Sequence, residues 1–258
     1  MLEKKISKST FIKVKNIKIH YILKKKKRNG TNFSIVFLCG YKSDVNGTKA
    51  LFIDDLQKKY GFEFLRFDYS GHGDSGGRIE NRKLSEWIYE SVTLIKKKTS
   101  YPTILIGSSM GGWISLVIAK ILKKRIVGVI GIAAAPDFTS KILKALNEKQ
   151  KKLYEKNNHI KIKSDYDDKG YIFSRNFIED SKKYFLLGEK TKLDCNVILL
   201  YGKNDKSVEY VSQLQLLCNL DCEKISLIVS RSSNHRMSSK SDLRILEDSI
   251  AKFLQLTY

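Results

Sequence analysis

The sequence predicts an α/β fold, with a mainly parallel sheet, an antiparallel lead-in at the N-terminus and helices on both faces. Short apolar runs alternate with longer helical stretches along most of the chain, which favours parallel strands joined by helices. The first segments instead alternate apolar and charged residues, as an exposed hairpin does. A serine flanked by glycines stands where one buried strand turns directly into a buried helix, at 107–112.

The lead-in covers Phe11–Lys15 and Ile17–Tyr21, on either side of a predicted turn at Asn16. Later strands are near-continuous apolar runs, as expected for a sheet that is buried on both faces. These strands are predicted at 33–39, 62–68, 101–106, 125–132, 196–201 and 225–229. Helices are predicted between and after them at 48–60, 84–98, 113–119, 208–219 and 241–254.

The chain length of 258 residues allows one domain, and we predict a single domain over 1–258. The strand pattern is interrupted between Pro136 and Asp194, so residues 137–194 are predicted to form a lid over the strand ends. This insertion carries a predicted helix at 140–154 and a predicted hairpin around 167–170. Its aromatic residues line an acyl pocket or pack the lid onto the core: Tyr166, Tyr171, Phe173, Phe177, Tyr184 and Phe185.

The formal net charge of +21 comes mostly from lysines that are spread along the whole chain. Without an arginine-rich stripe or a nucleic-acid motif, this pattern indicates a solvated surface and makes nucleic-acid binding unlikely. No apolar run reaches the roughly 20 residues of a membrane span. The leader Met1–Lys8 lacks the apolar segment of a secretory signal, so we expect a cytoplasmic protein. The four cysteines lack C-x-x-C spacing and are predicted to be reduced and structural: Cys39, Cys195, Cys218 and Cys222.

The stretch Gly107–Gly112 has the pattern G-x-S-x-G, with Ser109 at the apex of the strand-to-helix turn. Glycine is needed on each side because side chains would collide where strand and helix converge. The helix N-terminus directs free N–H groups toward the serine oxygen. We therefore predict Ser109 as a nucleophile, with an oxyanion hole formed by the N–H groups of Met110 and of Tyr41, in the loop after Cys39.

Asp205 and His235 follow the predicted strands at 196–201 and 225–229. Together with Ser109 they occupy three strand ends, in the chain order serine, acid, histidine. A serine hydroxyl needs a base to take its proton, and imidazole supplies one when a carboxylate fixes its tautomer. The sequence therefore predicts a serine hydrolase with an acyl-enzyme intermediate and without a cofactor or metal.

Other acids and histidines compete for these roles. Asp137 also ends a strand and is the alternative acid. His72 precedes the nucleophile, which is the wrong order for the base, and is expected to pack within its loop. His20 and His159 are expected to be solvated.

Four segments resemble the serine-esterase kind of α/β-hydrolase: 37–50, 66–73, 107–113 and 234–237. Over about 34–254 the chain is similar to the branch with the mitochondrial acyl-glucuronide esterase and palmitoyl-protein thioesterase and many bacterial relatives. The resemblance implies hydrolysis of carboxylic esters or thioesters without a cofactor. Cys39 replaces the His or Pro common before the oxyanion glycine, and Val208-Glu209 replaces the usual Val-Pro.

The expected partner is a small acyl ester or thioester. Its candidate contacts are Gly40, Tyr171, Phe173 and Arg175, and Arg236 is a further cation that could attract an acidic group. Two alternatives remain open at this point. One is a serine aminopeptidase-like amide hydrolase, and the other is a non-catalytic basic protein that binds nucleic acid or an anionic membrane on the same fold.

Overall fold

The computed structural model describes residues 10–164 and 167–255. Its strands are β1 (Thr10–Val14), β2 (Ile17–Lys24), β3 (Ser34–Leu38), β4 (Glu63–Phe67), β5 (Thr103–Ser108), β6 (Ile126–Ile132), β7 (His159–Ser164), β8 (Asp167–Ser174), β9 (Thr191–Lys192), β10 (Asn196–Gly202), β11 (Leu220–Asp221) and β12 (Ile225–Ser230). Its helices are α1 (Thr48–Tyr60), α2 (Leu84–Lys98), α3 (Met110–Leu122), α4 (Phe138–Lys144), α5 (Glu148–Asn157), α6 (Arg175–Ser181), α7 (Tyr210–Asn219) and α8 (Lys240–Gln255). The predicted strands and helices outside the insertion are therefore confirmed, with small shifts at their ends.

Eight of the described strands form the main sheet, in the order β1-β2-β4-β3-β5-β6-β10-β12. The β1–β2 and β2–β4 pairs are antiparallel, and all the other pairs are parallel. From β3 the chain moves outward to β4, and then it crosses back to β5 on the other side of β3. Ligands bind at such switch points, beyond the carboxyl ends of the strands. This topology confirms the predicted fold class and places the loop after β3 beside the turn after β5.

Helices cover both faces of the sheet. The β3–α1–β4 and β4–α2–β5 crossovers run in opposite directions, so their common right-handedness places α1 and α2 on opposite faces. Helix α1 packs against α8, and α2 packs against α3. Ten consecutive residues from Met110 to Ala119 are buried, which explains why this helix is apolar nearly all round.

The start of α3 lies against the end of β3. A Cβ atom on Gly111 would lie 2.1 Å from the Leu38 carbonyl oxygen and 2.5 Å from that of Cys39. A Cβ on Gly107 would lie 2.2 Å from the Gly111 carbonyl oxygen. Any side chain at either position would therefore separate the strand from the helix, as the glycine pattern predicts.

Residues 137–194, which we call the lid segment, lie between β6 and β10 in the chain and outside the main sheet. The segment contains α4, α5, the antiparallel β7–β8 hairpin and α6. The Asp137 carboxylate accepts hydrogen bonds from the N–H groups of Leu186 and Leu187 at 2.9 Å each. One buried side chain thus joins the start of the segment to a point near its end.

The prediction of a single helix at 140–154 is wrong, because the chain forms two helices there, α4 and α5. Asn147 begins the second helix: its side chain accepts a hydrogen bond from the Gln150 N–H, and the Gln150 side chain accepts one from the Asn147 N–H. This reciprocal capping stabilises a new helix start and stops α4 from continuing.

The predicted hairpin exists, but its turn does not lie at 167–170. Those residues belong to β8, where Gly170 adopts φ 68° and a Cβ would lie 2.6 Å from the Ile162 carbonyl oxygen. The glycine therefore marks an irregularity within the paired strands rather than their connection. Tyr166 and the leader Met1–Lys8 lie outside the described residues.

Within residues 10–164 and 167–255, no helix combines the length and the apolar composition that a membrane crossing requires. The four cysteines are free thiols: Cys39 and Cys195 are buried, Cys222 is partly buried and Cys218 is exposed.

Replacing Gly111 with alanine should destabilise the fold even though alanine favours helices. The added Cβ would meet two carbonyl oxygens of β3, and overpacking of this kind costs about 1–3 kcal/mol. Urea unfolding measures the change. Gly188→Ala is the matched control, because a Cβ there meets nothing within 4 Å, and we expect it to stay within about 0.5 kcal/mol of the parent. Equal stability of the two variants would contradict the close approach.

Candidate active site

Ser109 lies at the sharp turn between β5 and α3. Its φ of 55° is rare for a residue with a side chain, and the surrounding backbone holds it in place. The Ser109 N–H donates to the Ile132 carbonyl at 2.9 Å, and its own carbonyl accepts from the N–H groups of Gly112 at 2.9 Å and Ala135 at 3.1 Å. The turn thereby presents the hydroxyl at the strand ends.

His235 lies between Ser109 and Asp205 and hydrogen-bonds to both. Its Nε2 lies 3.1 Å from the Ser109 hydroxyl oxygen, and its Nδ1 lies 2.7 Å from Asp205 Oδ2. The other oxygen of this fully buried carboxylate accepts from the N–H groups of Ser207 at 2.7 Å and Val208 at 2.9 Å. These bonds fix the carboxylate, which in turn orients the imidazole.

The loops that carry the acid and the histidine are packed together at Gly202. A Cβ there would lie 2.5 Å from the Ser233 carbonyl oxygen and 2.6 Å from that of Asn234. The Asn204 N–H also donates to the Ser233 carbonyl at 2.9 Å. The glycine that ends β10 therefore allows the two loops to meet.

The competing residues lie elsewhere. The Asp137 carboxylate accepts hydrogen bonds within the lid segment, and burial raises its pKa. His72 packs in its loop as expected, with its ring centroid 5.0 Å from that of Trp87, and burial lowers its pKa to about 4. His159 is exposed. The expectation that His20 is solvated is wrong: it is 2% exposed and its Nδ1 lies 2.7 Å from Asp68 Oδ2.

Residues 40–47, the oxyanion loop, begin directly beside the nucleophile. A Cβ on Gly40 would lie 3.5 Å from the Ser109 Cβ, and Tyr41 and Met110 both line the cavity above Ser109. The Ser43 N–H donates to the Gly40 carbonyl at 3.1 Å, which closes a tight turn around Tyr41. The two residues that carry the predicted N–H donors therefore line the same cavity as Ser109.

Strand β4 anchors the far end of the oxyanion loop. The Val45 N–H donates to Asp68 Oδ1 at 2.8 Å, and the Val45 carbonyl accepts from Arg66 Nη1 at 3.0 Å. The other Asp68 oxygen is the one that pairs with His20. The buried His20–Asp68 pair therefore supports the oxyanion loop from beneath, which explains why this histidine is inside.

The β7–β8 hairpin holds the near end of the same loop. The Tyr41 hydroxyl donates to the Ile172 carbonyl, and the Lys42 ammonium donates to Asp167 Oδ2 at 2.7 Å and to the Gly170 carbonyl at 2.9 Å. The Tyr41 ring also packs against Phe173, with the centroids 4.9 Å apart. The residue with the predicted oxyanion N–H is thus attached to the lid segment through its side chain.

A cavity of about 830 Å³ opens above Ser109 and His235. Of the predicted substrate contacts, Gly40, Tyr171 and Phe173 line it. Arg175 does not: strand alternation ends at Ser174, whose hydroxyl caps α6 by accepting from the Phe177 N–H at 3.2 Å. The Arg175 guanidinium consequently lies over the Tyr154 ring, 5.2 Å from its centroid.

Three further predicted lid aromatics, Phe177, Tyr184 and Phe185, pack onto the core. The Phe177 ring lies 5.4 Å from Trp87, and the Phe185 ring lies 6.2 Å from Trp113. The Tyr184 carbonyl accepts from the Trp113 indole N–H at 2.8 Å. Tyr171 and Phe173 thus line the cavity, whereas these three residues lie against the core.

Sequence reasoning missed several cavity residues. The missed apolar residues are Phe138 and Ile142, at the start of the lid segment, and the missed cationic residues are Lys49 and Lys206. Lys49 is the second residue of α1, just after the oxyanion loop, and Lys206 follows Asp205. Their positions beside strand ends were the available signal. In the described part of the chain, no group of three or more His, Cys, Asp or Glu residues is arranged to hold a metal ion.

A family model described as serine aminopeptidase, S33, matches residues 31–183, which is more than half of the chain. Human palmitoyl-protein thioesterase ABHD10, mitochondrial, is 33% identical over 222 residues, which are 86% of this chain and 72% of that protein. A match of this length includes the turn at Ser109 and the loop at Asp205.

Two solved structures are similar over nearly the whole chain. The crystal structure of a putative hydrolase from Agrobacterium vitis S4 superposes with a TM-score of 0.89 at 30% identity, covering 95% of this chain and 97% of that one. Mouse alpha/beta hydrolase domain-containing protein 10 superposes with a TM-score of 0.88 at 28% identity, covering 97% and 99%. The chain belongs to the α/β-hydrolases, in the serine aminopeptidase S33 family and in the branch that contains ABHD10.

Proposed function

We propose that this chain hydrolyses carboxylic esters or thioesters through an acyl-enzyme on Ser109. The observation that carries the proposal is the continuous hydrogen-bond relay from Asp205 through His235 to the serine hydroxyl. Ser109 Oγ attacks the acyl carbon while its proton passes to His235 Nε2. The bond from that carbon to the alcohol oxygen or thiol sulfur then breaks, and the imidazolium returns the proton to the leaving group.

The second half of the reaction reverses these roles. Water enters the position of the leaving group, gives a proton to His235 Nε2 and attacks the acyl carbon. The bond from that carbon to Ser109 Oγ then breaks, and the imidazolium returns the proton to Ser109 Oγ, which releases the carboxylic acid and restores the free enzyme. Asp205 keeps the Nδ1–H directed at its own oxygen and stabilises the imidazolium in both halves. No cofactor is needed for this sequence of steps.

Negative charge develops on the carbonyl oxygen in each half-reaction. The N–H groups of Met110 and Tyr41 receive this charge, and each such donor contributes about 3–4 kcal/mol to the transition state. Because Tyr41 is attached to the β7–β8 hairpin, we propose that the lid segment holds this donor in place while its aromatic residues bind the acyl group.

The acyl group lies against the apolar wall of the cavity. The apolar residues that the lid segment contributes to this wall are Phe138, Ile142, Ile162, Tyr171 and Phe173. The relatives are named as palmitoyl-protein thioesterases, which supports a thioester as one substrate class. An apolar wall of this kind also accepts the acyl part of an oxygen ester.

An aminopeptidase-like activity is the second candidate, favoured by the description of the family model. An aminopeptidase must bind a free α-ammonium group. Five basic side chains but only two acidic ones line the cavity among the described residues, and one of the acids, Asp167, already pairs with Lys42. This charge pattern repels a cationic substrate, so we favour ester or thioester hydrolysis.

The hydrogen-bond relay from Asp205 through His235 to Ser109 also argues against a non-catalytic basic binding protein.

The single-domain organisation, with 137–194 as its lid, is part of the proposal and is supported by the contact of Asp137 with Leu186 and Leu187. We keep a cytoplasmic location as a prediction. The ABHD10 relatives are named as mitochondrial proteins, so fractionation of cells that make this chain is the appropriate measurement.

A fluorescent alkyl phosphonate should label the wild-type chain and should not label Ser109→Ala. The phosphonate needs an activated hydroxyl, and this substitution removes it. Ser108→Ala is the matched control, because it removes the neighbouring hydroxyl and should retain labelling. Gel fluorescence after a fixed exposure measures the outcome, and labelling that persists in Ser109→Ala would sink the assignment.

Asp205→Asn should lower kcat for a p-nitrophenyl ester by about four orders of magnitude, because an amide stabilises the wrong imidazole tautomer. Asp137→Asn is the matched control at the alternative acid. It should keep kcat within about tenfold but lower the free energy of unfolding by about 1.5–3 kcal/mol, since it weakens a charged, buried hydrogen bond. The opposite pattern would make Asp137 the catalytic acid.

Tyr41→Phe should lower kcat by up to about tenfold, because the lost bond to the Ile172 carbonyl contributes about 0.5–1.5 kcal/mol. The substitution keeps the ring and its packing, so thermal unfolding should change little. Tyr210→Phe, on the exposed face of α7, is the control for loss of a phenol. A Tyr41→Phe enzyme with the parent kcat would show that the lid segment does not hold the oxyanion donor.

A further inference from the structure

The cavity above Ser109 has two chemically different walls. One wall comes from the lid segment and combines the apolar residues described above with Lys163, Asp167 and Asp168. The other is cationic and comes from α1 and from the loops of the acid and the histidine: Lys49, Lys206 and Arg236. A substrate that fills both walls must therefore be apolar at one end and anionic at the other.

The cationic wall lies on the side where the leaving group departs. His235 must reach the leaving atom to protonate it, so the leaving group lies on the histidine side of the acyl carbon. Arg236 is the next residue in the chain, and the Lys49 ammonium donates to its carbonyl at 2.6 Å. Lys49 and Arg236 therefore line the cavity together with the catalytic histidine.

The Lys49 ammonium is poorly compensated. Its hydrogen-bond acceptors are the neutral Arg236 carbonyl and, at 3.3 Å, the neutral Ser238 hydroxyl. Across 10–164 and 167–255 no carboxylate forms an ion pair with it, whereas Lys42 in the same cavity pairs with Asp167. Burial, together with the charge of Arg236, lowers the pKa of Lys49 to about 8. A desolvated cation of this kind is stabilised when an anion binds beside it.

Resting on the ester or thioester hydrolysis proposed above, we propose that the leaving group of the natural substrate is a phosphorylated alcohol or thiol whose phosphate binds Lys49 and Arg236. A phosphate monoester carries a charge of about −1.5 to −2 at neutral pH, which matches two cations better than a single carboxylate does. Its three oxygens also accept bonds from an ammonium and a guanidinium together. The short reach from His235 favours a phosphate within a few atoms of the ester.

The test compares two esters with the same scissile bond, 1-butyrylglycerol 3-phosphate and 1-butyrylglycerol. We expect kcat/KM to be at least tenfold higher for the phosphate, and we expect added sodium chloride to reduce that ratio. Lys49→Met and Arg236→Gln should each lower about tenfold the ratio of kcat/KM for the phosphate ester to kcat/KM for the neutral ester. Lys49→Arg, which keeps the charge, should restore most of it, and Lys120→Met on the exposed end of α3 is the control for net charge.

Each other outcome has a defined meaning. Turnover of both esters at equal kcat/KM would overturn the phosphate site and leave the proposed hydrolase intact, whereas turnover of neither would count against the proposed function itself. The butyryl ester of 4-hydroxybutyrate carries a carboxylate instead of the phosphate. If its kcat/KM equals that of 1-butyrylglycerol 3-phosphate, the choice of phosphate over carboxylate is overturned. The phosphate could belong to a lysophospholipid or to a small phosphate ester. Comparing kcat/KM for the palmitoyl and butyryl esters of glycerol 3-phosphate distinguishes these two sources.

Discussion

The active site depends on the close approach of α3 to the end of β3. Gly111 has no side chain, so the helix contacts the carbonyl oxygens of Leu38 and Cys39 directly. This contact brings the turn at Ser109 and the loop at Tyr41 to one point, although the two lie far apart in the chain. The parallel strands β10 and β12, which lie beyond β6 on the side of β5 away from β3, then bring Asp205 and His235 to the same edge. A single steric requirement thus determines where all the reacting groups meet.

The sheet and the relay could be predicted because both follow from local rules. Buried strands are apolar runs, and parallel strands place their following loops at one edge, so Ser109, Asp205 and His235 could be brought together without knowing any contact. The lid segment could not be predicted as well, because a short capping motif at Asn147 and an irregular strand at Gly170 decide its form. Burial of His20 depends on a partner, Asp68, that is distant in sequence, and no local pattern shows such a pair.

The oxyanion loop lies between two supports of different kinds. At Val45 it is fixed to β4 by a buried carboxylate and a guanidinium, which belong to the rigid sheet. At Tyr41 and Lys42 it is attached to the β7–β8 hairpin, which belongs to the lid segment. The loop therefore links the part of the molecule that performs the reaction to the part that shapes the acyl side of the cavity, while the cationic side is built from the catalytic loops.

Asp137 gives the lid segment a further property. Its carboxylate binds the backbone of Leu186 and Leu187, so the two ends of the stretch 138–185 are held together beside the carboxyl end of β6. The stretch of chain between these residues can become longer or shorter, or change in sequence, without moving β6 or β10. The free-energy cost of loop closure rises only slightly as a loop grows. The substrate range of this fold can therefore diverge through the inserted segment while the chemistry of Ser109 stays constant.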